Sequence, residues 1–115
     1  MSLSDIQKIL DTKVKHSDRN GMERKMSECL NAIGPAAKLQ SKALGDLERK
    51  KGELLRKYID LPYRMLKMRI DSESASEQEE YLLAQRINMA LSKTIDGLKS
   101  LLSIQSEEGS ELKWK

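Results

Sequence analysis

The sequence predicts an all-α protein built on one long antiparallel helical hairpin, coiled-coil-like, with short N-terminal helices. Three observations carry that prediction. The 115 residues include only two prolines and six glycines, so turns are few and regular elements must be long. Aromatic residues make up 3% and Phe is absent, which argues against a sandwich or barrel, because strands favour aromatic and β-branched side chains. From Met26 to Met68, apolar side chains recur at alternating steps of four and three, a repeat averaging about 3.5 residues that marks helices wound around each other. Length and composition fit a single domain over residues 1–115, since a net charge of +3 with 38% apolar residues is not the balance of a disordered chain.

Taken in order, the first expected helix begins at Ser4, which forms a capping-box pattern with Gln7 and runs to about His16 with Ile6, Leu10 and Val14 on one face. Residues 17–21 supply turn-forming side chains, and Asn20 with Glu23 can cap a second short helix over 21–33. Gly34-Pro35 predicts a break or hinge, because proline removes a helical hydrogen bond and glycine weakens the turn before it. Residues 4–33 therefore hold short helices, and a long basic helix is expected over 35–70, with Pro35 tolerated in its first turn and Pro62 kinking its end. Residues 71–76 read as a polar linker, with Ser74–Glu77 and Ser76–Glu79 as competing capping boxes. An acidic helix over 76–106 follows, then a flexible tail over 107–115 whose Leu112 and Trp114 alternatively form a short docking motif.

Charge supports pairing of the two long elements. Residues 36–70 carry a net +6 and residues 71–115 a net −4, and the short linker favours antiparallel neighbours. The expected seam comprises Leu44, Leu47, Leu54, Tyr58, Leu61 and Met65 on the basic helix. On the acidic helix it comprises Leu83, Ile87, Leu91, Ile95, Leu98 and Leu102. Asn88 is a candidate for fixing register, Lys51 falls at a seam position, and Lys50 is expected to face solvent. The acidic helix has a second seam, Leu83, Ile87, Ala90, Thr94, Leu101 and Ile104, which a bare hairpin leaves uncovered. The short helices cover part of it, and self-association or a partner protein completes the bundle.

The same residues exclude several function classes. One cysteine, Cys29, and one histidine, His16, cannot build a zinc site or an internal disulfide. They lie across a turn with no glycine-rich elbow nearby, so a nucleophile–base pair is not supported, and Cys29 reads as a small core residue. No phosphate-binding glycine loop occurs, and Glu77, Glu79 and Glu80 read as helix-start charges rather than metal ligands. Catalytic, cofactor and metal sites are thus expected to be none. No apolar run approaches the about 20 residues of a membrane span, and no signal peptide is visible at the N-terminus, so a cytoplasmic protein is expected. The expected function is non-enzymatic protein–protein interaction, as a small adaptor, chaperone or oligomerisation subunit acting through exposed heptad seams, with a homo-oligomer or a helical hetero-complex as the assembly. The alternative is nucleic-acid binding or regulation by the basic face of residues 38–69, with Arg49, Lys50, Lys51, Arg56 and Lys57 as contacts.

Overall fold

A computed structural model describes residues 1–114, with side chains described through residue 104. Among the described residues there are four helices: α1 (Leu3–Asp11), α2 (Arg19–Lys57), α3 (Tyr63–Glu73) and α4 (Ala75–Trp114). Helix α4 runs to Trp114, past the end expected at 106, and the side chains of Leu112 and Trp114 in the tail expected over 107–115 lie outside those described. The molecule is a rod of 78 × 24 × 19 Å.

Helix α1 starts at Ser2 rather than Ser4. The Ser2 hydroxyl accepts from the Asp5 N–H at 3.2 Å, and the Asp5 carboxylate accepts from the Ser2 N–H at 2.9 Å, a reciprocal cap that satisfies two otherwise orphaned donors. A carboxylate at this position also meets the positive end of the helix. The helix ends at Asp11, short of the expected His16. Lys25 holds the chain beyond it, donating from Nζ to the carbonyls of Leu10 at 3.0 Å and Thr12 at 2.6 Å.

Helix α2 is capped by Asp18, whose carboxylate accepts from the Gly21 N–H at 3.0 Å. A Cβ at Gly21 would meet that carboxylate and come within 3.1 Å of Val14, so any larger residue there must displace the Asp18 cap. The helix then runs unbroken through Gly34 and Pro35, so the expected break between a short helix over 21–33 and a longer one from 35 does not occur. An interior proline costs about 3 kcal/mol. The packing around it offsets that cost. Ala32 and Ala36 are both fully buried, and Asn88 donates from Nδ2 to the Ala36 carbonyl at 3.0 Å, one residue past the proline. Asn31, whose carbonyl loses its usual partner, is an exposed residue.

The expected long helix over 35–70 ends early, at Lys57. Pro62 cannot donate to the carbonyl four residues back, and no buried neighbour compensates here, so the chain reverses over residues 58–62. The Leu61 N–H donates to the Tyr58 carbonyl at 3.0 Å, and Pro62 becomes the N-cap of α3. The expected linker over 71–76 is helical apart from Ser74. Ser74 caps no helix with its hydroxyl. It is fully buried, donates from Oγ to the Ile70 carbonyl and accepts from Gln78 Nε2, a back-bond of the kind that bends helices. Helices α3 and α4 thus form a single bent arm returning along α2.

That return is antiparallel, as expected. Asn88 meets Ala36, and farther on Leu98 and Leu101 line a groove with Met22 and Leu10. Helix α1 lies in the crevice between the two arms, its Leu3 end beside Leu83 and Ile87. The core is therefore three-layered at this end, with Ile6 of α1, Cys29, Ala32 and Ala36 of α2, and Ile87, Leu91 and Ile95 of α4. Helix α1 covers the second seam of α4 between Ile87 and Leu101, while Leu83 and Ile104 remain exposed.

Candidate interaction surface

Helix α2 carries two apolar stripes, and the hairpin uses only one. Met22, Cys29, Ala32, Ala36, Ala43, Leu47 and Leu54 are buried. The stripe one residue later, Leu30, Ile33, Ala37 and Leu44, faces out, with Leu30 46% and Ile33 45% exposed. At 100° per residue the two stripes are neighbours on the cylinder. The buried stripe is made largely of small side chains, which let the arms approach closely. The bulky side chains were left outside.

Helix phase also gives the side. Gly21, Lys25 and Glu28 line the groove under the α1–α2 loop, so α1 occupies one flank of the buried stripe and Leu30, Ile33, Ala37 and Leu44 lie on the other. Across the same flank α4 offers Gln85, Ser92 and Lys99, all exposed. The uncovered face is apolar along α2 and polar along α4.

The expected seam residues divide accordingly. Leu47, Leu54, Ile87, Leu91, Ile95 and Leu98 are buried between helices, and Tyr58, Leu61 and Leu102 are half-buried. Leu44, Met65 and Leu83 are exposed instead. Asn88 bridges the arms as a register-fixing residue would, also donating to the Ala84 carbonyl at 3.1 Å. Lys50 is half-buried and Lys51 exposed, the reverse of expectation, because the buried stripe is displaced by one residue. Of the remaining basic residues, Arg49 pairs with Asp46 at 3.4 Å, and Arg56 and Lys57 are exposed.

Cys29 is fully buried, and desolvation pushes its thiol pKa up, which suppresses the thiolate a nucleophile needs. Among the described residues no cluster of three His, Cys, Asp or Glu side chains is placed to hold a metal ion. No helix among them is long and apolar enough to cross a membrane. Comparison with protein-family models, with curated proteins and with solved structures finds no match, so the reading of this surface rests on its own geometry.

Proposed function

We propose that this chain is a non-enzymatic interaction protein, an adaptor, chaperone or oligomerisation subunit, that takes an amphipathic helix along the Leu30–Leu44 stripe. The first occupant to test is the same stripe of a second copy. The supporting observation is the spacing of the two leucines of the stripe. Leu30 and Leu44 each stand seven residues from Ala37, so a two-fold axis at Ala37 sets Leu30 of each copy against Leu44 of the other. The small side chain at the axis permits close approach, and such an isologous contact closes on itself as a dimer. The stripe is about 21 Å long, three to four helical turns. A lone buried thiol suits the reducing cytoplasm, where we place the protein.

Sedimentation equilibrium over a range of concentrations tests the reading. The expected result is a monomer–dimer equilibrium that Leu30→Ser with Ile33→Ser abolishes while the dilute chain keeps its helix content and its cooperative melting, at a modestly lower melting temperature, since both side chains are about half exposed. An Ala37→Cys variant should form an intermolecular disulfide under oxidation. A chain that stays monomeric at every concentration, without cross-linking at Ala37→Cys, overturns the dimer.

A further inference from the structure

The bend end of the rod has a different chemistry from the stripe. Helix α3 has no buried residue. Leu66 and Ile70, four residues apart, are its half-buried side. On the opposite face Met65 and Met68 stand out, 51% and 67% exposed; Tyr63 at the start of α3 is 78% exposed and Ile59 in the reversal 64%. Four large apolar or amphipathic side chains are thus exposed within residues 59–68, at the bend end of the rod.

Cations are interspersed among these side chains. Residues 55–73, the reversal and α3, hold Arg56, Lys57, Arg64, Lys67 and Arg69 against Asp60, Asp71 and Glu73. None of the five is in an ion pair among the described residues. The bend instead gathers positive charge. Lys57 Nζ lies 5.1 Å and Arg69 Cζ 5.7 Å from the centre of the Tyr58 ring. The nearby carboxylate of Glu73 accepts from the Tyr58 hydroxyl at 3.0 Å. Met65, Met68, Arg69 and Ser72 line a shallow, open depression rather than a groove that would seat a partner helix.

We propose that the bend is a peripheral membrane-binding tip, docking on an anionic phospholipid surface. Ile59, Tyr63, Met65 and Met68 enter the headgroup boundary, and Arg56, Lys57, Arg64, Lys67 and Arg69 contact lipid phosphates and carboxylates. Exposed apolar side chains with cations interspersed among them are the features such a surface selects, because apolar burial and attraction to anionic lipid add. Tyrosine at the apex fits the interface, its ring apolar and its hydroxyl wet. The tip lies at the opposite end of the hairpin from α1, so it is independent of the stripe proposed for dimerisation.

Co-sedimentation of the full chain with vesicles tests the tip. Vesicles of equal parts phosphatidylserine and phosphatidylcholine should retain the chain about tenfold better than phosphatidylcholine alone, with retention falling as salt rises. Arg64→Glu with Lys67→Glu should abolish retention. Met65→Ser with Met68→Ser should weaken it severalfold while the chain stays folded and melts only slightly lower, since both side chains are at least half exposed. Tyr63→Trp in a Trp114→Phe background should show blue-shifted emission, quenched by brominated lipid. Equal retention on neutral vesicles, or no retention at low salt, overturns the proposal. So does retention insensitive to the methionine substitutions and matched by duplex DNA, which would mark a surface that merely attracts polyanions.

Discussion

Leu91→Ala and Leu30→Ala together decide which stripe of α2 builds the hairpin. Leu91 is 1% exposed and packs in the cluster of Ile6, Cys29, Ala32, Ala36, Ile87 and Ile95. Three helices meet there, and the neighbours on α2 are already small, so little can relax into the space. Buried leucines of this kind lose about 2.7–5.0 kcal/mol on truncation, the spread following the volume of the cavity that remains. Leu30 is 46% exposed. Truncating it forfeits about half of the 1.5–3 kcal/mol of full burial, and leaves no cavity, so the loss is about 1 kcal/mol. The difference of at least about 2 kcal/mol is a factor of about 30 in the folding equilibrium. Urea titration followed by circular dichroism reads it, at a dilution where sedimentation shows monomer. At a slope of about 2 kcal/mol per molar, Leu91→Ala should lower the midpoint by more than about 1 M and Leu30→Ala by about 0.5 M. Equal losses would refute the reasoning, because they require Leu30 to be as buried as Leu91 and α2 to be rotated by one residue.

Pro35→Ala should stabilise the chain by about 1–3 kcal/mol in the same titration, because α2 is already continuous and gains a hydrogen bond; a loss would mean the proline shapes the helix in a way the packing needs. Gly45→Ala should add about 0.5–1 kcal/mol, since a Cβ there meets open space, whereas Gly21→Ala should destabilise by displacing the Asp18 cap. The Asp5 carboxyl is held below its ordinary pKa, first by the Ser2 N–H, then by the Ser2 hydroxyl, with the terminal ammonium and Lys8 adding to it. A depressed folded pKa contributes stability that is complete above the unfolded value and is lost as pH falls through the folded one. The start of α1 should therefore hold at neutral pH and fray as acid protonates Asp5, with an Asp5 carboxyl titration midpoint below that of a free aspartate by NMR.

Much of the fold is legible in the residues, and the failures share a physical cause. The antiparallel pairing is readable because opposite charge and helical spacing both survive any rotation of the helices. The α4 seam is readable because Ile87, Leu91, Ile95 and Leu98 are bulky and the buried stripe is the bulky one. On α2 the rule that large side chains go inside selects Leu30, Ile33 and Leu44. The buried positions are Cys29, Ala32, Ala36 and Ala43, because α1 brings Ile6 into the space and the arms draw close. A signal existed in the unbroken seven-residue steps Met22, Cys29, Ala36, Ala43, but mass outweighed it. The two prolines show the same limit. Pro35 sits inside a packed stretch and the helix survives; Pro62 sits where nothing buries its neighbours and the helix ends. Local chemistry alone does not separate the two. The bend patch was hidden for a related reason: Met65 and Met68 continue the apolar spacing past the point where the hairpin has already turned.

The placement of the three-layered core sets the order of events when the chain folds. The short reversal over residues 58–62 closes a small loop quickly, yet the contacts it brings together are the poorest in the rod, since α3 buries no side chain. The contacts that repay ordering join Ile6 to Ile87 and Leu91, more than eighty residues away along the chain. Loop-closure entropy must be met before those contacts form, and distant pairing slows folding. A helical protein of this size should accordingly fold more slowly than a bundle of local hairpins, zipping from a weak bend toward a strong far end, with α1 arriving last to lock the whole.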